Sequence, residues 1–153
     1  MPPPGIRFEP PSPRWHAAWR EHYERYARAL GEPAAGAVAT TVWTWLLEGT
    51  HGVEGVLAIA GDELAGFAHF RPFPRTLHAN EACFLDDLWV AEPHRGTGLG
   101  RALIEHVCTI ARARGWTQVR WVTEHDNATA RRLYDAIAEN FDLVTYRIRV
   151  NEE

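Results

Sequence analysis

The sequence predicts one α/β or α+β domain, a mixed sheet flanked by helices, and three observations carry that prediction. A chain of 153 residues and 17.3 kDa suits a single compact domain, which should bury roughly 70% of the surface its unfolded form exposes. Its composition, 46% apolar, 11% aromatic and 24% charged, is that of a globule that builds a core without disulfide or metal staples. Along the chain, apolar residues recur first at helical steps of three and four, then in short strand-like runs, then in alternating segments of both kinds.

Six of the ten prolines lie before residue 14, so the chain starts as an extended arm with at most a short strand at residues 6–8. Trp15, Ala18, Trp19, Tyr23, Tyr26, Ala27 and Leu30 then mark one face of a helix over residues 14–30, which Gly31 and Pro33 stop. This stripe reads as core more readily than as an acceptor pocket. A shorter helix follows over 38–48, with Trp43, Leu46 and Leu47 inward and Gly49 ending it.

The apolar runs 53–60 and 64–70 flank Gly61-Asp62-Glu63 and read as an antiparallel hairpin. Residues 71–80 read as a loop, because Pro72 and Pro74 cannot both serve a ladder, and 83–90 as a further strand. A helix over 99–114 follows from Leu103, Val107, Ile110 and Ala111, closed by Gly115. The remainder reads as a strand at 118–123, a helix at 128–139 with Asn127 as N-cap, and a final strand at 141–150.

Single-residue counts exclude whole chemistries. All 16 basic residues are Arg, so neither a Walker phosphate loop nor a Schiff-base lysine can be drawn. Ser12, the one serine, sits among prolines and cannot form a nucleophile elbow. Cys83 and Cys108 lack metal-ligand spacing and an adjacent base, and the eight His show no zincin pattern, so no metal and no covalent cysteine step are expected. His69, His94 and His125 read as solvated or hydrogen-bonded structural residues. A charge of -4 and a pI near 6.1 argue against nucleic acid as a partner. With no long apolar run and no leader-like start, no membrane partner and a cytoplasmic location are expected.

The chemical signal lies where Leu88-Trp89-Val90 runs through a proline-marked turn into Arg95-Gly96-Thr97-Gly98-Leu99-Gly100-Arg101 at the start of a helix. Alternate glycines permit positive φ and close backbone approach, so amide N–H groups converge where the helix presents its positive end, with Arg95 and Arg101 at the rim. This is a pyrophosphate cradle. A dinucleotide fingerprint fails on register, since its last glycine slot falls on Leu103 or Arg101.

On these residues the chain resembles the GCN5-related N-acetyltransferase (GNAT) superfamily. Its acyl-CoA loop pattern, Arg or Gln-x-x-Gly-x-Gly or Ala, is matched from Arg95 through Gly98 to Gly100. The segment from Phe84 to Val90 is similar to the family's fourth strand, and Asn127-Ala-Thr-Ala130-Arg-Arg-Leu133-Tyr134 to its Asn-x-x-Ala-x-x-Leu-Tyr helix. The resemblance implies a mostly antiparallel GNAT-like sheet and a single N-acetyltransferase domain over residues 1–153. Within it, 1–13 would be the arm, 14–50 the variable acceptor-side helices and 52–150 the acyl-CoA-binding core.

The same resemblance implies acetyl-CoA as acyl donor, bound along the backbone of Leu88, Trp89 and Val90. Its pyrophosphate would rest on the amides of Gly96, Thr97, Gly98, Leu99, Gly100 and Arg101, with Arg95 beside them and Asn127 on the pantetheine amide. Tyr134 matches the family's general acid, and Asp86 falls where related members carry a Glu that assists the amine, with Asp87 the fallback on the opposite face. Asp is a methylene shorter than Glu, which favours a water relay or attraction of an ammonium over direct abstraction. Taking an amine of pKa near 10 to its free base at neutral pH costs about 4 kcal/mol, so such help matters. Arg131 and Arg132 read as solvated helix face.

The function read from all this is acetyl transfer to a primary amine by direct attack in a ternary complex. Glu48, Glu81, Asp86, Asp87, Glu124 and Asp126 favour a small cationic acceptor. A homodimer is left open. The competing readings are a non-catalytic acyl-CoA-binding module and an ATP-using enzyme built on the same cradle.

Overall fold

The structure is a computed structural model that describes residues 1–33 and 36–153. It falls into two compact units, Met1–Trp121 and Val122–Glu153.

The first unit is built on a five-stranded sheet in the order β1-β2-β3-β4-β5: β1 Ile6–Glu9, β2 Glu54–Ala60, β3 Glu63–Arg75, β4 Asn80–Val90 and β5 Val119–Arg120. All neighbours are antiparallel except β4 and β5, which run parallel and are joined through helix α3, Leu99–Ala113. Two helices, α1 His16–Ala29 and α2 Gly36–Glu48, precede β2. The expected mixed, mostly antiparallel sheet with flanking helices is the observed architecture.

Strand alternation assigns the two faces of the sheet. Leu57, Ile59 and Phe67 pack with Trp15, Trp19, Trp43 and Leu46 of the N-terminal helices in one buried cluster. On the other face a Cβ at Gly66 would lie 3.4 Å from the Leu103 side chain of α3, whose Leu99, Ala102, Leu103, Ile104, Val107 and Ala111 are buried. The aromatic stripe of α1 is therefore mainly core: Trp19 is fully buried, stacked on Tyr23 at 4.7 Å and tilted against Trp43 at 5.0 Å. Truncating such a residue to Ala costs about 3–5 kcal/mol.

The expected loop at 71–80 is instead continuous strand through Arg75, followed by a turn at 76–79 and by the start of β4. The prolines fit because of their parity. Pro72 pairs with Cys83, whose own N–H points away from β3 to the Gln118 carbonyl at 2.8 Å. Pro72, and Pro74 two residues on, therefore sit where no N–H is owed to β4. Their other edge lies beyond the end of β2, which stops pairing at Glu54 opposite Phe70.

Two further features shape β4. Pairing shifts between His69–Asp87 and Phe70–Leu85, which leaves Asp86 as the extra residue of a bulge. β5, expected over 118–123, is reduced to two residues and touches β4 only at Cys83 and Phe84. From Leu85 onward that edge of β4 has no ladder partner among the described residues.

In the second unit, α4 spans Ala128–Ile137, shorter than expected. Asn127 caps it, its side-chain oxygen accepting from the Ala130 amide at 3.2 Å. The strand expected at 141–150 does not form. Its alternation is real, with Val144, Tyr146, Ile148 and Val150 separated by Thr145, Arg147 and Arg149. Yet those four apolar side chains are exposed and no ladder runs along the backbone, because a strand, unlike a helix, takes its hydrogen bonds from a neighbour.

Candidate active site

The turn after β4 has the geometry its glycines imply. A short 3-10 turn at Glu92–His94 leads into Arg95, and Gly96 and Gly98 adopt φ of 75° and 88° before α3 begins. Added Cβ atoms would meet nothing within 4 Å at either position, so glycine is needed here for backbone conformation and not for room. Gly98 is the N-cap of α3 and offers no side-chain cap, so the first amides of the helix are left as open donors at its positive end.

The open edge of β4 adds a second set of backbone groups. The Ala91 amide donates to the Ala65 carbonyl of β3 at 2.8 Å, and a Cβ at Gly66 would lie 2.5 Å from the Trp89 oxygen. Alternation then turns the Asp87 and Trp89 backbone toward β3 and the Leu88 and Val90 backbone toward the unpaired edge. Of the three strand residues expected to meet the donor, two present their main chain and Trp89 does not. Both rim arginines already have partners. Arg95 lies over the Trp89 ring at 5.0 Å and donates to the Val90 carbonyl at 3.1 Å, and Arg101 pairs with Glu105 at 2.9 Å.

The adjacent carboxylates face different surroundings. Asp86, in the bulge, accepts from Arg71 Nε on both oxygens at 3.1 and 3.2 Å. Burial pushes its carboxyl above the ordinary value, the Arg71 guanidinium pulls it back, and neighbouring Asp87 raises it further. Asp87 turns toward α1. Tyr26 donates its hydroxyl to Asp87 Oδ1 at 2.8 Å, and His69 Nδ1 lies 2.9 Å from Oδ2. Burial would raise this carboxyl too, but the hydrogen bonds from His69 and Tyr26 outweigh it and hold it below its usual value.

The chain continues inward. Trp19 Nε1 donates to His69 Nε2 at 3.0 Å, and His69 is only 1% exposed. An indole nitrogen can only donate, so Nε2 carries the lone pair and the ring proton is on Nδ1, aimed at Asp87. This Trp19–His69–Asp87–Tyr26 network is what the reading of sequence missed. Its one visible trace is a pair of polar residues, His69 and Asp87, inside two apolar strand runs.

Burial works against a thiolate at both cysteines. Cys83 is buried, and its thiol is pushed up to about 12, chiefly by that burial; burial also raises Cys108. In the second unit Tyr134 is half-buried on α4, and burial raises its phenol. Asn127 Nδ2 also reaches Thr123 Oγ1 at 3.4 Å, and Arg131 holds the His125 carbonyl at 2.8 Å. Among the described residues no three acidic, His or Cys side chains cluster as a metal site, and no helix is long and apolar enough to cross a membrane.

The sequence model of the acetyltransferase (GNAT) family matches residues 12–137, most of the chain. The protein belongs to the GNAT family. A relative from Saccharomyces cerevisiae, the D-amino-acid N-acetyltransferase HPA3, is 35% identical over 136 residues, 87% of this chain and 81% of that protein. The ribosomal-protein-alanine N-acetyltransferase of Brucella melitensis biovar Abortus 2308 superposes with a TM-score of 0.79 at 25% identity, covering 95% of this chain and 99% of that one. The aminoglycoside N-acetyltransferase AAC(6')-Iy, solved with CoA, shares the fold at a TM-score of 0.81 and 17% identity, each chain covered to 95%. This GNAT chain is an N-acetyltransferase that uses acyl-CoA as its donor.

Proposed function

We propose that this chain acts as one N-acetyltransferase domain that moves acetyl from acetyl-CoA to a small primary amine, by direct attack in a ternary complex. The observation that carries the reading is the conjunction, in one unit, of an unpaired β4 edge at Leu88 and Val90 with a positive-φ glycine turn whose helix amides are uncapped. The first suits an amide-bearing arm that pairs like a strand, the second a diphosphate. Backbone groups of Leu88 and Val90 hold and polarise the donor, and amides of Gly96, Thr97, Gly98, Leu99, Gly100 and Arg101 hold its diphosphate. Asn127 contributes to the pantetheine arm. The fit is one of exposed donors to an anionic, amide-rich ligand.

Acetyl-CoA supplies the thioester, in which a carbon–sulfur bond is exchanged for a carbon–nitrogen bond. Asp86 takes the proton the acceptor ammonium sheds, through water, and its raised carboxyl suits that task. Tyr134, a phenol protonated at neutral pH as any tyrosine is and raised further by burial, returns a proton to the departing sulfur. The name of the yeast relative supports an amino acid among the acceptors.

The test is thiol release from acetyl-CoA with polyamines, aminoglycosides, amino acids of both hands and short peptides. Acceptor-dependent release is expected, and Tyr134→Phe should lower it at least tenfold with acetyl-CoA affinity within twofold of wild type. Wild-type turnover in that variant removes the assigned acid. Calorimetry that finds no coenzyme bound at millimolar concentration removes the reading.

A further inference from the structure

Two neighbouring carboxylates whose surroundings push them in opposite directions divide labour between them. Asp86 has the raised carboxyl, shares the single Arg71 Nε–H between its two oxygens and keeps 31% of its side-chain surface open. Asp87 has the lowered carboxyl and two separate donors. A carboxylate has about four acceptor positions, and Asp87 uses two, one for Tyr26 and one for His69. Its side chain keeps 28% of its surface open. Both partners donate to it, Tyr26 through its hydroxyl and His69 through Nδ1–H, the far ring nitrogen being occupied by the Trp19 N–H.

Asp87 is thus a poor proton acceptor and a well-positioned fixed anion. The carboxylate also lies beside aromatic surface, because Trp89, two residues on along the same face of β4, stands edge-on to Tyr26 at a centroid distance of 6.1 Å. Trp89 is held there by its own N–H donated to His22 Nδ1 at 3.1 Å. An anion with two open acceptor positions next to an aromatic wall, whose Trp89 ring already carries Arg95 over one face, is suited to an ammonium carried on an apolar substituent that packs on the remaining aromatic surface.

We propose that Asp87 is the acceptor-specificity residue of this enzyme: it binds the ammonium form of the incoming amine, with Tyr26 and His69 as positioning residues that hold its carboxylate in place. The assignment rests on the acetyl-transfer reading and deepens it, separating the group that anchors the amine from Asp86, which handles its proton. It selects acceptors that arrive charged over isosteric amines that are neutral at the same pH.

The experiment compares benzylamine, a cation at pH 7, with phenylhydrazine, which has the same number of heavy atoms and is uncharged there, in wild type, Asp87→Asn and Tyr26→Phe. Equilibrium binding to the CoA-loaded protein is followed by tryptophan fluorescence, and KM and kcat by thiol release. Wild type should bind the cation at least tenfold more tightly than the neutral amine. Asp87→Asn should weaken cation binding at least tenfold, leave phenylhydrazine binding and acetyl-CoA affinity within twofold, and move KM for the cation far more than kcat. Tyr26→Phe, which keeps the carboxylate but loosens it, should give the same pattern at about threefold.

Equal losses for both amines in Asp87→Asn, or no preference for the cation in wild type, overturn the proposal. If Asp87→Asn fails to fold, Tyr26→Phe decides by the same contrast. Because the binding contrast is read without turnover, its failure is distinguishable from a failure of acetyl transfer, which appears instead as absent thiol release with every amine.

Discussion

Along the open edge of β4 and through the glycine turn, the groups offered to a ligand are backbone amides and carbonyls. On the face of β4 turned toward α1 they are side chains, a carboxylate held by a phenol and an imidazole that an indole holds in turn. The difference teaches how each side fails. Backbone donors survive most substitutions and are lost only when the chain conformation is lost. A side-chain network is lost one member at a time, and each loss strands a buried partner.

The largest effect should come from breaking the side-chain network at its centre. His69→Leu leaves the Trp19 N–H and one Asp87 oxygen without their partner, and should cost about 2 kcal/mol of stability in urea unfolding. Acetyl-CoA affinity should stay within twofold of wild type. Unchanged stability would show that the network is not tightly held. The converse substitution is Gly98→Ala, where φ is 88°. A side chain there costs roughly 1 kcal/mol and disturbs the first amides of α3, so acetyl-CoA affinity should fall about fivefold by calorimetry with the cation preference intact. A loss of cation preference in Gly98→Ala would mean that the two sides are not separable.

The smallest effect should come from Arg71→Gln. Arg71 pulls the Asp86 carboxyl down against burial, so its removal lets that carboxyl rise. A raised carboxyl is ionised over a narrower range, so the acid limb of kcat/KM moves to higher pH. At slightly acid pH the loss should be about twofold, in keeping with a partly exposed ion pair worth under 1 kcal/mol. An acid limb moving to lower pH would remove Asp86 from the proton's path.

Much of the glycine turn and of the α4 cap was legible in the sequence. Positive φ at Gly96 and Gly98 and the cap at Asn127 depend on residues adjacent in the chain, and local sterics suffice to expect them. The β3 extension was not legible, since whether Pro72 and Pro74 break a ladder depends on which side of them a neighbour lies. For the same reason the alternation at 141–150 promised a strand that the structure does not form. The bonds of the Trp19–His69–Asp87–Tyr26 network were not legible because they span 50, 18 and 61 positions of chain.

What the amino-acid order determined by itself is the family, through its motifs, and most of the order of helices and strands together with the glycine turn, through short-range periodicity and backbone freedom. What the tertiary structure decided is the division between Asp86 and Asp87. One residue of bulge in β4 gives the first to Arg71, and the packing of α1 on the sheet gives the second to Tyr26 and His69. Two identical side chains in consecutive positions differ in chemistry only through their surroundings, because a carboxyl's proton affinity is set by the dipoles and charges within a few ångströms of it.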